Sequence, residues 1–507
     1  MNDRDLVAEL RRIVGCGHVL TDPSDLAGRD HDGRGPAGRS RALVRPHTPE
    51  EVAAVVAVAV RAGVRLVPQG ARTGLVASGV ADESGGMILL STERLNAVAI
   101  DPVNRTARVG AGVPLSTLNA QAAAHDLFFP IDLGADPTMG GMIAANTGGA
   151  RFIRYGDVRR NLLSLELVTS NGPATILQLG RDCWKQNDGL DLKQLAIGSG
   201  GAMGIITAAT VALQPTPQHV ITALIALRDP MALDRLLLTF ERSWGMLFTA
   251  FEGISRPAYL AALHHVAHLR RPFPVDTEHP YFVLIELAAG AAFDAMVLED
   301  ALTGVLAEMM EAPASPIADV VVDHGADLWA LRHAVPDGLR AMGTTIGCDI
   351  AVRRGDVARF RREMAAEIAR DYPGLLVCDF GHIGDGGIHF NLVWPTEQGP
   401  LPSGLAEAVR MRIFAVAVER YGGSFSAEHG VGPRNIAAYH RFTPPAVQQL
   451  AGAVQTLLAP VPISRVWYGG HQTRTPLPQA PDASSPELFR VHYPASRDDA
   501  SSVTMRR

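Results

Sequence analysis

The chain has 507 residues, of which 47% are hydrophobic and 19% charged, and its formal net charge is −6. This length predicts two or three domains, and the composition excludes a largely disordered chain. The negative charge gives no electrostatic reason to expect nucleic acid or an anionic membrane surface as a partner.

The cysteines and the apolar segments indicate the compartment. The four cysteines form no CxxC pair and are widely spaced: Cys16, Cys183, Cys348 and Cys378. They predict buried thiols in a reducing compartment rather than disulfides or a cysteine zinc site. The charged, amphipathic first fifteen residues favour a helix over a signal peptide. The longest apolar run, 52–60, is about half of what a spanning helix needs. We therefore expect a cytoplasmic protein with no transmembrane segment.

Residues 47–215 alternate between helix-like and strand-like segments. A helix is predicted to begin at Thr48, with Pro49 in its first turn and Glu51 placed to close a capping box, and to end at Gly63. The segments VRLVP, MILLS, TARVGAG, LLSLELV and GIITAATVAL are strand-like. The sequence QPTPQ near residue 215 is typical of a linker, so a first domain is predicted to close there.

After residue 216 the pattern changes to long amphipathic helices that alternate with strands. Examples are DPMALDRLLLTFERSW before FTAFEGI, and RRGDVARFRREMAAEIARDY before LLVCDFGHIG. The pattern predicts an α+β domain with an antiparallel sheet, and two further helices are expected at 404–420 and 444–458. The chain thus divides into an N-terminal helical segment at 1–35, a first domain at 36–215, a second at 216–470 and a disordered tail at 471–507.

Three glycine-rich stretches, at 69–75, 138–149 and 198–204, mark candidate cofactor loops. Glycine allows backbone N–H donors to approach a pyrophosphate that side chains would block. Neither of the first two stretches matches GxGxxG, and no acidic residue stands at the ribose position, so the dinucleotide fingerprint of NAD enzymes is absent. One glycine cluster alone is more often a plain turn.

The order of these stretches is more specific than any one of them. The succession RPHTPEEV, PQGARTGL, PTMGGMIAANTGGARFIRYG and GSGGAMGIIT resembles the PCMH-type FAD-binding domain of the vanillyl-alcohol oxidase superfamily over residues 36–215. The resemblance implies that two loops hold the FAD pyrophosphate and that GIIT lies beside the dinucleotide. It implies FAD contacts at Gly70, Ala71, Arg72, Thr73, Gly74, Leu75, Pro137, Thr138, Gly140, Gly141, Ala144, Asn146, Gly148, Gly149, Tyr155, Gly204, Ile205 and Ile206.

The first domain departs from that family at a few positions. Gln69 replaces the basic start of the first loop, Arg72 replaces a glycine, and Ser-Gly-Gly-Ala at 199–202 stands where relatives have Ser-Glu-Gly-Thr. The first loop contains no histidine, the residue through which some relatives attach FAD covalently. We therefore expect non-covalent FAD.

Histidines and a glutamate in two glycine-rich segments form the strongest chemical pattern. In GHIGDGGIHFN, apolar residues alternate with His389 and Asn391, which predicts a strand with these two side chains on one face. A glycine turn can fold His382 back toward His389. The segment GGSFSAEHGVG places Glu428 and His429 in a second loop. A lone histidine in a strand is more often structural, but this combination favours a catalytic metal with nitrogen and oxygen ligands.

The two motifs resemble the C-terminal domain of FAD-linked D-lactate dehydrogenases, glycolate oxidase subunits and, most closely, D-2-hydroxyglutarate dehydrogenases. The resemblance implies a C-terminal α+β FAD-linked oxidase domain, with antiparallel sheet plus helices, that binds zinc or manganese through His382, His389 and Glu428. It further implies His429 as the catalytic base, with Arg332 and Asn391 in contact with substrate.

These motifs predict FAD-dependent oxidation of a small D-2-hydroxy acid to the 2-oxo acid, by hydride transfer to flavin N5 with help from the metal and the base. The electron acceptor implied by analogy is an electron-transfer flavoprotein or a quinone, and a homodimer is left open. Two alternatives are a metal-independent flavin oxidase of alcohols or phenols and a non-catalytic, electron-relay flavoprotein subunit.

Two further departures concern the second domain. Gly387 replaces an asparagine of the relatives, which we expect to loosen the metal loop. Gly347 stands where D-2-hydroxyglutarate dehydrogenases have a lysine that holds a second substrate carboxylate. An unpaired carboxylate in a partly desolvated pocket is costly, so the sequence predicts a preference for monocarboxylic D-2-hydroxy acids.

Overall fold

The computed structural model describes residues 2–32, 35, 37–274, 278–323 and 327–470. The helices of the first region are α1 Asp3–Val14, α2 Pro23–Ala27, α3 Pro49–Ala62, α4 Leu115–Ala123, α5 Met139–Ala145 and α6 Phe152–Tyr155. Its strands are β1 Val19–Leu20, β2 Ser40–Val44, β3 Leu66–Gln69, β4 Met87–Ser91, β5 Val98–Asp101, β6 Thr106–Gly110, β7 Leu127–Phe128, β8 Leu162–Val168, β9 Ile176–Gly180, β10 Ile205–Ala212 and β11 Gln214–Pro215.

The first region contains two main sheets. A four-stranded sheet has the order β1-β2-β4-β3, with β2, β4 and β3 parallel. A five-stranded antiparallel sheet has the order β5-β6-β10-β8-β9. Helices α1 and α3 pack on each other, and their apolar faces share one hydrophobic core with both sheets. The helices and strands expected from residues 47–215 are confirmed.

Helix α3 shows how local chemistry sets an element's ends. The Thr48 hydroxyl accepts a hydrogen bond from the Glu51 backbone N–H at 3.1 Å, and Gly63 ends the helix in the left-handed conformation. The expected capping box is wrong in one detail. The Glu51 carboxylate accepts from the backbone N–H of His47, one residue before the cap, because the chain there turns toward the carboxylate.

The second region has more elements and larger helices. Its helices are α7 Leu233–Trp244, α8 Arg256–His265, α9 Ala295–Glu311, α10 Asp327–Met342, α11 Val357–Asp371, α12 Leu405–Ala415, α13 Ile436–Phe442 and α14 Pro445–Leu458. Its strands are β12 His219–Leu227, β13 Phe248–Ser255, β14 Tyr281–Ala289, β15 Ile317–Asp323, β16 Gly343–Ile346, β17 Asp349–Ala351, β18 Leu376–Val377, β19 Phe380–Gly381, β20 Gly387–His389 and β21 Leu392–Pro395.

A seven-stranded antiparallel sheet organises this region, in the order β15-β12-β14-β13-β19-β20-β17. Alternate residues of β12 enter two different cores: Ile225 faces the one that contains α7, α9 and α11, and Leu224 faces the one that contains α8 and α10. Since successive side chains of a strand point to opposite faces, the sheet is buried on both sides. The prediction of an antiparallel α+β domain is confirmed.

The strand expected across residues 388–392 is interrupted. Strand β20 ends at His389 and belongs to the seven-stranded sheet, whereas β21 begins at Leu392 in a separate sheet of order β16-β21-β18. The backbone N–H of Asn391 donates to the His389 carbonyl at 2.8 Å, and this tight turn moves the chain from one sheet to the other. The expected single strand is therefore wrong, but the expected alternation holds: Ile388, Phe390 and Leu392 are buried, whereas His389 and Asn391 are half-buried.

Two other expectations can be compared with the described residues. Cys348 and Cys378 are buried as expected, but Cys16 and Cys183 are exposed: Cys16 begins a short 3-10 helix, Cys183 lies in a loop, and neither belongs to a hydrophobic core. None of the helices described is long and apolar enough to cross a membrane. The tail predicted at 471–507 lies outside the described residues.

Candidate active site

A cavity of about 840 Å³ lies between the two regions. The first region contributes Leu75 and Asp132 to its wall. The second contributes most of the polar residues singled out by the sequence: Arg332, His382, His389, Asn391, Glu428 and His429. The structure thus gathers side chains from three separate segments of the second region into one space.

Strand pairing places the two predicted histidine ligands together. Strand β19 pairs with β20, which aligns Phe380 with His389 and folds the intervening turn back on itself. In that turn the Gly387 N–H donates to the His382 carbonyl at 3.2 Å and to Asp385 Oδ1 at 2.8 Å. The rings of His382 and His389 lie 5.2 Å apart between centroids. Two hydrogen bonds therefore hold the turn even though residue 387 is glycine.

Each of these histidines has a carboxylate next to Nδ1. His382 Nδ1 lies 2.6 Å from Glu252 Oε1, and His389 Nδ1 lies 3.4 Å from Asp349 Oδ1. A carboxylate at one ring nitrogen orients a histidine to bind metal through the other nitrogen. His382 Nε2 lies 3.5 Å from Glu428 Oε1. Two ligands about 2.1 Å from a tetrahedral ion are roughly 3.4 Å apart, so this pair has a separation suited to one metal.

Asp349 also holds the loop that carries Glu428 and His429. Its Oδ2 accepts from the backbone N–H of Glu428 at 2.8 Å and of His429 at 2.9 Å. One ligand atom from each of Asp349, His389, Glu428 and His429 lies within 4.8 Å of the others; this group does not include His382, the third predicted ligand, which approaches it through Glu428. The rings of His389 and His429 are nearly parallel, 5.8 Å apart. The nitrogen and carboxylate oxygen donors of this cluster fit a zinc or manganese ion.

Arg332 reaches the same cavity from helix α10. Its Nε and Nη2 lie 2.8 and 2.7 Å from Glu252 Oε2, and its guanidinium lies 4.7 Å from the centre of the Phe380 ring. Asn391 enters from the turn between β20 and β21, where its carbonyl accepts from the Cys378 N–H. The structure therefore brings both predicted substrate contacts to the cavity that contains the histidines.

Burial and charge oppose each other in this cluster. Burial alone would lower the pKa of His382, but the carboxylates of Glu252 and Glu428 hold it well above its ordinary value. Burial alone would raise the pKa of Glu252, but His382 and Arg332 lower it to about 2. Burial raises the pKa of Asp385 in the histidine turn to about 7. Glu252, His382 and Arg332 are thus buried charges that stabilise one another, whereas the charged form of Asp385 is disfavoured.

The two predicted pyrophosphate loops contact each other. A side chain at Gly70 would begin 2.1 Å from Thr138 Oγ1, so with any other residue here the Thr138 side chain would have to move. Thr138 Oγ1 is buried, with no hydrogen-bond partner among the described residues. Gly74, by contrast, has open space where a side chain would start. Glycine-lined space beside a buried polar atom fits the phosphate part of FAD.

Arg72 and Asn146 have backbone conformations that favour glycine or asparagine, with φ of 63° and 52°. This conformation explains why the relatives have glycine at the position of Arg72. The Asn146 amide donates to Asp157 at 2.8 Å, and its carbonyl oxygen accepts from the Arg159 N–H at 3.0 Å. The side chain of Asn146 therefore fixes the loop by protein contacts.

The second cofactor loop also contacts the histidine cluster. A Cβ atom at Gly148 would lie 2.5 Å from Glu428 Oε1, and one at Gly149 would lie 2.6 Å from the Asp132 carbonyl. Ile205 and Ile206, at the start of β10, have buried side chains that belong to the core of the first region. All the FAD contacts implied by the resemblance stay predictions.

Sequence analysis missed the roles of Glu252 and Asp349. Glu252 lies in the fully buried strand β13, where a charged residue among apolar neighbours was a signal that could have been noticed. Asp349 lies two residues after Gly347, and the sequence analysis gave it no role. Both residues act across strand pairs that join distant parts of the chain, which no local motif reveals.

Comparisons with known proteins agree with this architecture. The model of the FAD binding domain family matches residues 40–179, and that of the C-terminal domain of FAD linked oxidases matches residues 216–463. D-2-hydroxyglutarate dehydrogenase of Xanthomonas citri pv. viticola is 34% identical over 444 residues, covering 84% of this chain and 88% of the relative. The mitochondrial D-2-hydroxyglutarate dehydrogenase of Rattus norvegicus is 31% identical, covering 88% and 81%.

Solved structures show the same fold at lower identity. p-Cresol methylhydroxylase with substrate bound superimposes with a TM-score of 0.73 at 16% identity, over 90% of this chain and 94% of that one. The fold and the matched domains define a two-domain, FAD-dependent oxidoreductase with a PCMH-type FAD-binding domain. The chain belongs to the family of FAD-linked dehydrogenases that contains the D-2-hydroxyglutarate dehydrogenases.

Proposed function

We propose that this enzyme oxidises a small D-2-hydroxy acid to the corresponding 2-oxo acid. The observation that carries the proposal is the shared cavity, where Arg332 and the cluster of His382, His389, Glu428 and His429 lie together. A 2-hydroxy acid suits this arrangement, because Arg332 can pair with its carboxylate and a metal held by the cluster can bind its hydroxyl group. The names of the relatives support the same substrate class.

Three residues would hold a zinc or manganese ion: His382, His389 and Glu428. A divalent metal bound there lowers the pKa of a coordinated hydroxyl group. Glu252 and Asp349 would keep the two imidazole rings in place, as carboxylates next to metal-binding histidines do.

His429 would accept the proton of the substrate hydroxyl. Its ring stacks on His389, and Asp349 Oδ2 lies 3.6 Å from its Nδ1. Arg332 holds Glu252 through Nε and Nη2, so a substrate carboxylate would meet the Nη1 side of its guanidinium. The Asn391 side chain would donate to a substrate oxygen. FAD, when bound, supplies the acceptor of the Cα hydride at N5.

The acceptor that reoxidises the flavin is part of the proposal by analogy only, whereas the proposed location rests on the spacing of the cysteines. We propose electron-transfer flavoprotein or a quinone as acceptor, a homodimer as assembly and a cytoplasmic location. The rat relative is a mitochondrial protein by its name, so the location in particular needs its own measurement.

The decisive experiment combines metal analysis with anaerobic flavin bleaching. Purified enzyme should contain one divalent metal per FAD, and D-2-hydroxy acids should bleach the flavin while their L enantiomers, simple alcohols and phenols do not. Bleaching by an alcohol or a phenol without metal would favour the flavin oxidase alternative. A metal-free protein that no hydroxy acid reduces would favour the electron-relay alternative.

The state of the flavin can be checked in the same preparation. Acid precipitation should release FAD into the supernatant, because the first cofactor loop offers no histidine for attachment. Flavin that stays with the precipitated protein would contradict the non-covalent assignment.

A further inference from the structure

Glu252 connects two parts of the active site through its two carboxylate oxygens. Its Oε1 lies 2.6 Å from His382 Nδ1, and its Oε2 lies 2.8 and 2.7 Å from Nε and Nη2 of Arg332. Its side chain is 0% exposed, in the central strand β13, on the sheet face that α10 covers. The same carboxylate therefore touches a proposed metal ligand and the proposed substrate cation.

The charge on Glu252 decides which nitrogen of His382 is left for a metal. An ionised carboxylate only accepts hydrogen bonds, so the Nδ1 that faces it must donate. The hydrogen on Nδ1 leaves the lone pair of a neutral ring on Nε2, the atom 3.5 Å from Glu428 Oε1. The guanidinium of Arg332, which stays protonated in proteins, lies 2.8 and 2.7 Å from the other oxygen of the same carboxylate. Arg332 and His382 are thus linked through the charge of one side chain.

We propose that Glu252 is the positioning residue that sets metal affinity and substrate binding together. It orients His382 for metal binding and fixes the guanidinium of Arg332 at a set distance from that metal. The part of the inference that concerns substrate binding rests on the proposed function. The part that concerns metal affinity can be tested without any substrate.

The informative variant is Glu252→Gln, which keeps the shape and removes the charge. Its amide oxygen can still accept from Arg332, but its NH₂ group then faces His382 Nδ1 and favours the tautomer with hydrogen on Nε2. We expect Zn²⁺ or Mn²⁺ titrated into the FAD-loaded, metal-stripped protein to bind about 10- to 100-fold more weakly. KM for the hydroxy acid should rise together with this loss, and the FAD spectrum should stay unchanged. Glu252→Asp should recover part of the metal affinity.

Glu286 provides a matched control. It is an equally buried glutamate on the neighbouring strand β14, bonded to Arg151 and Trp329 instead of to the histidine cluster. Glu286→Gln removes a buried carboxylate in the same way and should leave metal affinity unchanged. Equal loss in both variants, or wild-type metal affinity in folded Glu252→Gln, would overturn the inference. If no 2-hydroxy acid reduces the wild-type flavin, the proposed function fails while the metal titration still decides the role of Glu252.

Discussion

The cofactor loops and the histidine cluster meet in one cavity but are built on opposite principles. The loops at 69–75 and 138–149 can approach each other because side chains are absent. For example, Thr138 Oγ1 occupies the space that a side chain at Gly70 would need. In the cluster, paired charges shape the site, as where Glu252 touches both His382 and Arg332. The first region should therefore be sensitive to added volume, and the second to lost charge.

That difference predicts how the two cofactors respond to mutation. Removing one partner of a buried ion pair leaves an uncompensated charge, which is strongly unfavourable. Such a change in the cluster should affect the proposed metal and substrate sites but spare the loops predicted to hold FAD. If the separation holds, metal loss and FAD loss are independent events.

The largest effect is expected for the metal ligands. Glu428→Ala or His382→Ala should abolish metal binding and turnover and leave the FAD absorbance spectrum intact, because the phosphate loops lie in the other domain. Metal analysis, the visible spectrum and steady-state assays measure the three quantities on one preparation.

Glu407 serves as the control for Glu428. It lines the same cavity on helix α12, outside the metal-type cluster, so Glu407→Ala should keep its metal. Loss of FAD together with metal in Glu428→Ala would show that the two regions are one cooperative unit and would contradict the separation.

Replacing His429, the proposed base, should slow the oxidation of the substrate while FAD and metal stay bound. His429→Asn should keep FAD and metal but reduce the rate of flavin reduction by about 100-fold or more, the usual scale for a lost general base. Stopped-flow bleaching of the flavin measures this rate. His333→Asn, at another histidine of the cavity wall, should lose far less. An unchanged rate in His429→Asn would remove His429 from the mechanism.

Gly148 belongs to a predicted cofactor loop but lies next to Glu428, so a substitution there tests whether metal binding and FAD binding are independent. In Gly148→Ala the new methyl group would lie 2.5 Å from Glu428 Oε1 and must displace that carboxylate. We expect metal affinity to fall by about tenfold, a typical effect of disturbing a metal ligand's surroundings. FAD affinity should change less, because the added methyl group points at Glu428. Gly134→Ala is the control, because this cavity glycine has open space around it. Equal metal affinity in both variants would show that Glu428 adapts freely.

The two regions also differ in how far the sequence could predict them. The residues His382, His389, Glu428 and His429 were found because each lies in a local motif between glycines. Glu252 was missed because it is 130 residues away from His382 along the chain, and only strand pairing through β19 brings them together. Local motifs in the sequence identify the side chains proposed to perform the chemistry. The carboxylates that orient those side chains are brought to them by long-range strand pairing.

Local periodicity also misled the analysis where tertiary structure overrides it. Alternation across 388–392 indicated one strand, but the turn at Asn391 divides it between two sheets. The expectation that Gly387 loosens the loop stays a prediction, because the bonds that hold the turn come from its backbone N–H, which an asparagine would also offer. The helices and central strands were predictable because an element that is buried on one or both faces has a regular pattern of apolar residues in its sequence.

The smallest predicted effect concerns substrate choice at Gly347, which lines the cavity. A side chain at this position would begin in open space, since the nearest atom is Asn391 Oδ1 at 3.6 Å. Gly347→Lys should raise kcat/KM for D-2-hydroxyglutarate relative to D-lactate by about three- to tenfold, since a half-exposed ion pair contributes roughly 1 kcal/mol. Thr344→Lys places the same charge on an exposed residue outside the cavity wall and should change nothing. The wild-type enzyme should prefer the monocarboxylic acid. However, Arg410 lines the same cavity from helix α12. A wild-type preference for the dicarboxylate that disappears in Arg410→Ala would show that Arg410 supplies the missing cation and that the substrate prediction from Gly347 is wrong.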